Sequence, residues 1–131
     1  MNITADTNVL VRAIVDDNAE QCRAARDELR NADLIALTAP ALCELVWVLS
    51  RGYRFSAAEI ANAIRLLIDS SKVAVERPMV EAGLSILELG GDFADGVIAH
   101  QGLELGASVF ASFDKRAVRL IASQGGNAKL L

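Results

Sequence analysis

Met1-Asn2-Ile3-Thr4-Ala5-Asp6-Thr7-Asn8 opens the chain, and its reading decides the fold. A short, mostly apolar run ends in a carboxylate and two small polar residues. A helical pattern of Val9, Leu10, Val11, Ala13 and Ile14 begins at once. An extended run followed directly by apolar residues at helical spacing implies a buried strand feeding a helix. Such a strand delivers Asp6 to the C-terminal rim of a sheet, where open α/β sheets gather their ligands.

The pattern recurs downstream. Leu34-Ile35-Ala36-Leu37, Lys72-Val73-Ala74-Val75-Glu76 and Ser108-Val109-Phe110-Ala111-Ser112 read as three more short strands, and Ala128 to Leu131 as an edge strand. Helical stretches separate them. One starts at an acidic cap in Asp17-Asn18-Ala19-Glu20, and one runs from Ala41 to Arg51 with Gly52 as its stop. Ser56 and Glu59 form a capping box. Pro78 opens a helix that stops at Gly90-Gly91, Asp92 or Phe93 begins another, and a last helix reaches Gly125-Gly126. Strands alternating with helices specify a parallel, helix-covered sheet.

At 131 residues the chain is expected to be one domain, residues 1–131. Hydrophobic residues are 53% and mean hydropathy is +0.32, ample for one core and unlike a disordered segment. Aromatics are only 5%, so Leu, Ile, Val and Ala must build that core, and base stacking on exposed rings looks limited. No secretory leader pattern is visible. The greasiest stretch, Leu34 to Ser50, contains Pro40 and Glu44 and is a poor membrane span. Cys22 and Cys43 lack metal-type spacing and read as two buried thiols of a cytoplasmic protein.

Four acids stand out by their surroundings. Asp6 and Asp114 each follow a strand directly, so a parallel sheet points both at one rim. Glu44 lies in Ala41-Leu42-Cys43-Glu44-Leu45-Val46-Trp47-Val48-Leu49, a helix with few polar positions, where an ionised Glu needs a partner. Asp95 falls in a first helical turn, on the side of Ile98 and Ala99. Each has a plainer role: Asp6, Asp114, Asp92 or Asp95 as helix caps, and Glu44 paired with Arg51 or Arg54. Against this, no Lys or Arg adjoins Asp6, Glu44 or Asp95 in sequence.

Clustered carboxylates repel unless a cation joins them. Hard divalent ions such as Mg²⁺ and Mn²⁺ resolve this with oxygen ligands, and such a site fits phosphodiester hydrolysis by metal-activated water. Setting the four acids aside brings the formal charge from −4 to zero. Arg12, Lys115, Arg116 and Arg119 follow the strand-end acids, and Arg51 and Arg54 follow the Glu44 helix; they could form a phosphate-binding rim. His100 reads as a helix-face residue. Walker A and Gly-x-Gly-x-x-Gly motifs are absent.

Asp6-Thr7-Asn8-Val9-Leu10, the isolated Glu44, Asp92-Phe93-Ala94-Asp95-Gly96-Val97-Ile98-Ala99 and Ser112-Phe113-Asp114-Lys115-Arg116 together resemble the four motifs of PIN-domain ribonucleases, and in particular the VapC-type toxins of bacterial toxin–antitoxin pairs. The resemblance covers essentially the whole chain. It implies a three-layer α/β fold with a central parallel sheet of four to five short strands covered by helices. It also implies an endoribonuclease using Mg²⁺ or Mn²⁺, in which Asp6, Glu44 and Asp95 bind metal and Asp114 holds a second ion or its water. Thr7 or Asn8, and Ser112, would hydrogen-bond the acids, with Asp92 auxiliary. Implied partners are an RNA substrate, tRNA or ribosomal RNA, a cognate antitoxin and a second copy in a homodimer, with a higher hetero-oligomer formed with the antitoxin. Gly96 stands where Ala is common and Ser112 where Thr is common; the glycine is expected to loosen its helical turn by up to about 1 kcal/mol. Two other classes compete. One is a non-catalytic dimerisation or repression module. The other is a domain using a strand-end Asp, either a receiver or a phosphatase; the phosphatase type needs a second Asp where Asn8 stands, which counts against it.

Overall fold

The computed structural model describes all residues, Met1–Leu131. They divide into two compact units, Met1–Val75 and Glu76–Leu131. The architecture is α/β, with seven α-helices and parallel strands. No helix is long and apolar enough to cross a membrane.

The N-terminal unit holds β1 (Asn2–Thr4), α1 (Thr7–Ile14), α2 (Ala19–Asn31), β2 (Leu34–Ala36), α3 (Ala39–Trp47), α4 (Ala57–Ile68) and β3 (Val73–Ala74). Its strands form a parallel ladder in the order β1-β2-β3, with Ile3 opposite Ile35 and Ile35 opposite Val73. Only β2 has a neighbour on both sides, and Ile35 is its buried residue, 4% exposed. The first strand is less buried than its apolar reading implies. Asn2 and Thr4 are exposed, and burial begins at Ala5. The ladder continues one step past the strands: Ala5 N–H donates to Ala36 O and Leu37 N–H to Ala74 O.

Local signals set the helices of this unit. Thr38 caps α3, and Pro40 sits in its first turn, where its missing N–H costs nothing. Ser56 and Glu59 make both bonds of a capping box at α4. At α2 the cap is Asn18, whose Oδ1 accepts Gln21 N–H, and not the preceding Asp17. The α3 pattern does end at Gly52, but its last five residues, Val48–Gly52, wind as a π-helical turn closed by Tyr53 N–H to Val48 O. Arg54 follows with a left-handed φ of 57°.

The C-terminal unit holds α5 (Arg77–Glu88), α6 (Phe93–Glu104), β4 (Phe110–Ser112), α7 (Lys115–Ser123) and β5 (Ala128–Leu130). The two strands pair in parallel, with Phe110 opposite Ala128. The expected fourth strand is two residues shorter at its start and only half-buried. Ile86, Leu120 and Ile121 form a buried cluster against Ala99, Phe110 and Ala128. Helices α5 and α6 bring their backbones into direct contact at Gly96, while the Phe93 ring packs on Gly83. A Cβ on Gly96 would lie 2.3 Å from Ala82 O, and one on Gly83 would lie 2.5 Å from the Phe93 ring. Gly96 therefore does not loosen its turn needlessly; close helix approach requires it.

Candidate functional site

In the N-terminal unit, parallel register places Asp6 and Thr38 at the same edge of the ladder, since Thr4 lies opposite Ala36. Asp6 caps α1: its Oδ1 accepts the Thr7 N–H at 2.8 Å, while its other oxygen has no protein partner. Thr7 is buried at 7% exposure, and Asn8 is exposed. One helix away, α3 presents Glu44. The two acids line one cleft of about 330 Å³ with Thr7, Asn8, Arg12 and Tyr53.

Glu44 is not in the apolar surroundings its sequence neighbours imply. It is exposed, and Trp47, three residues on, is 63% exposed. The stripe of α3 that faces inward is Ala41, Leu42, Leu45 and Val46, continued by Leu49 of the π-helical turn. Neither Arg51 nor Arg54 pairs with Glu44.

Of the basic residues expected to form a phosphate rim, Arg12 is held in a defined geometry. Its Nη1 donates to Asp17 Oδ1 at 2.7 Å and to the Tyr53 hydroxyl at 3.3 Å. The Tyr53 hydroxyl in turn donates to Asp17 Oδ2 at 2.7 Å, closing a ring of three side chains. The Tyr53 hydroxyl, and then Arg12, hold the Asp17 carboxyl below the usual carboxylate range; Asp17, and then Tyr53, push the Arg12 guanidinium up. Sequence reading missed Tyr53 and the true role of Asp17, because 41 residues separate Tyr53 from Arg12 and no local pattern links them.

In the C-terminal unit, Asp95 lies in the first turn of α6, half-buried. Burial pushes its carboxyl up, and the negative charges of Asp92 and Asp114 add to that. Asp92 occupies the N-cap position of α6 yet makes no capping bond with its side chain. Asp114 does cap: its Oδ1 accepts the N–H groups of Arg116 at 2.9 Å and Ala117 at 3.1 Å. Ser112 Oγ accepts the Asp114 N–H at 3.0 Å. Phe113 between them is 79% exposed, so with Trp47 two large rings stand open to solvent, more than the low aromatic content suggests. Lys115, Arg116, Arg119 and Arg51 are exposed. His100 pairs with Glu104 along its own helix, 3.4 Å away. Cys22 is buried and donates to Val15 O, whereas Cys43 is only half-buried.

No ion pair engages Asp6, Glu44, Asp95 or Asp114. Within neither unit do three or more His, Cys, Asp or Glu side chains close into a ready-made metal cage. The donor chemistry nonetheless suits a hard cation. Mg²⁺ keeps several waters and needs only one or two carboxylates, and an acid whose ionisation is opposed by two other acids is the group such a cation relieves. A second cleft, about 250 Å³, is lined by Ile98, Leu103, Val109, Phe110 and Ile121 among others, with no titratable side chain.

Comparison with curated proteins finds no match. The family model described as PIN domain matches residues 3–122, a span that includes every acid described above. The chain belongs to the PIN domain family.

Proposed function

We propose that this protein is a Mg²⁺- or Mn²⁺-dependent endoribonuclease and the toxin of a type II toxin–antitoxin pair, with Asp6, Glu44, Asp95 and Asp114 as its metal-binding acids. PIN domains are generally metal-dependent nucleases acting on RNA or DNA. The observation that carries the reading to these residues is Asp95, a half-buried carboxyl made harder to ionise by two further acids and paired with no base. A bound divalent ion would supply the countercharge and a water acidic enough to attack a phosphodiester.

The side chains divide the remaining work. Asp6 and Asp114 are each oriented by a helix N-terminus, which fixes one oxygen on backbone N–H groups. Ser112 steadies Asp114 through its backbone. Glu44 is exposed to its cleft and makes no ion pair, so its carboxylate is open to an incoming cation. Thr7, Asn8 and Asp92 are auxiliary, and Arg12, Arg51, Lys115 and Arg116 are phosphate contacts. The resemblance to VapC-type toxins extends the proposal to a cytoplasmic homodimer, silenced by a cognate antitoxin in a larger hetero-oligomer and cutting tRNA or ribosomal RNA.

The test is cleavage of structured RNA by the purified protein with Mg²⁺, Mn²⁺ or EDTA. Cleavage should need metal and should vanish in Asp6→Asn and Asp95→Asn variants of unchanged circular dichroism. Metal-independent cutting, or full activity in either variant, overturns the assignment. A second reading, a non-catalytic module, draws on the capping bonds of Asp6 and Asp114. Calorimetry with Mn²⁺ separates the two, because acids that only cap helices bind no ion.

A further inference from the structure

The Arg12–Asp17–Tyr53 ring joins three separate segments: the end of α1, the loop before α2 and the residue after the π-helical turn. Arginine has five N–H donors in a rigid fork. Here the ring takes both donors of Nη1, and neither Nε nor Nη2 has a protein partner. What remains is the Nε–Nη2 edge, the pair of parallel donors that matches two oxygens of a phosphate. Arg12 lines the same cleft as Asp6 and Glu44, and its side chain keeps 32% of its surface open.

An arginine without such a ring would have to immobilise a long side chain on each encounter with an anion. The ring has already done so, and Tyr53 adds a hydroxyl that bridges both partners, a more exacting arrangement than a surface ion pair needs. Asp17 neutralises part of the charge, which disfavours loose attraction of any passing anion. It leaves the directional, bidentate donors to discriminate in favour of a phosphodiester.

We propose that Tyr53 and Asp17 are positioning residues that hold Arg12 to grip a backbone phosphate of single-stranded RNA lying in the Asp6–Glu44 cleft. This rests on the endoribonuclease reading above. Neither Tyr53 nor Asp17 touches the phosphate; they act through the guanidinium.

The experiment measures anisotropy of a labelled single-stranded oligoribonucleotide over a series of KCl concentrations, in an Asp95→Asn background so that the RNA stays intact. Each phosphate contact to a single strand contributes about 0.7 to the slope of log K against log salt. Arg12→Gln should weaken binding roughly tenfold and flatten that slope by about 0.7. Arg12→Lys should restore the slope but not the affinity, because the charge returns without the fork. Tyr53→Phe should weaken binding several-fold, and should add nothing on top of Arg12→Gln. A ring that serves only folding would lower Tm in every variant and leave the slope untouched, and that result overturns the proposal. So does tighter binding of a carboxylate-rich peptide than of RNA. If the parent binds no RNA at all, the nuclease reading falls as well; RNA bound with an unchanged slope removes this proposal alone.

Discussion

The Ser112 hydroxyl accepts the backbone N–H of Asp114, and Asp114 passes the arrangement on by capping α7 through Oδ1. One carboxylate thus carries a structural duty and a proposed chemical one, and the two can be separated. Asn caps as well as Asp but carries no charge. Asp114→Asn should keep the Tm of the parent within experimental error and lower RNA cleavage. Asp114→Ala should lose cleavage and also about 1 kcal/mol of stability. Thermal melts beside a cleavage assay read both; equal stability loss in the two variants would mean the cap does not depend on Oδ1.

Asp95 predicts a pH effect of definite sign. Its carboxyl titrates above the ordinary Asp range because of burial first, then Asp92 and Asp114. Ionising it therefore opposes folding: the cost is absent below the unfolded-state value and grows as pH rises through the shifted one. Asp17, Asp33 and Glu59 are shifted downward and act in the opposite direction, their contributions fading as pH falls. The difference in Tm between Asp95→Asn and the parent isolates the first effect. It should favour Asn increasingly from the ordinary Asp range upward, in metal-free buffer. Added Mn²⁺ should reverse the order at neutral pH by stabilising only the parent.

Trp47 is the one tryptophan of the chain, exposed, and one helical turn from Glu44. A paramagnetic ion held by Glu44 lies within quenching range of its indole. Mn²⁺ should quench the fluorescence along a saturating curve in the parent, and the saturating part should disappear in Glu44→Gln. A linear, collisional response in both proteins would remove Glu44 from the metal ligands.

Gly96 predicts a reversal of helix propensity. In an exposed helix interior, Gly→Ala stabilises by about 1 kcal/mol. Here the new methyl would meet the Ala82 carbonyl at 2.3 Å, a backbone atom that cannot swing away. Gly96→Ala should destabilise by about 1–3 kcal/mol through overpacking, measured by urea unfolding. A neutral outcome would show that α6 can shift outward without loss.

The features legible in the sequence were those that act over a few residues. The Ser56–Glu59 box, Pro78 at a helix start and the stops at Gly52 and Gly90 all concern backbone groups within one turn, so spacing alone reveals them. The family was legible too, from the order of the motifs, and the PIN domain model matches residues 3–122. What spacing could not show was which side of a helix meets solvent. The apolar run around Glu44 looked enclosed, yet α3 turns Trp47 and Glu44 outward because the opposite stripe alone fills the core. Asp17 looked like a cap, but its carboxylate has stronger partners in Arg12 and Tyr53, and Asn18 takes the helix. The need for glycine at position 96 is invisible without α5 beside it.

The wide turn at Val48–Gly52 bears on how this chain can tolerate change. An ordinary α-turn would close on one residue fewer, and each residue of helix rotates the downstream chain by about 100°. Winding the same five residues as an ordinary α-helix would rotate Tyr53 out of phase with Arg12. The irregular winding thus acts as a phase adjuster, and an inserted residue just upstream of Tyr53 should disconnect the guanidinium even where no contacting side chain has been altered.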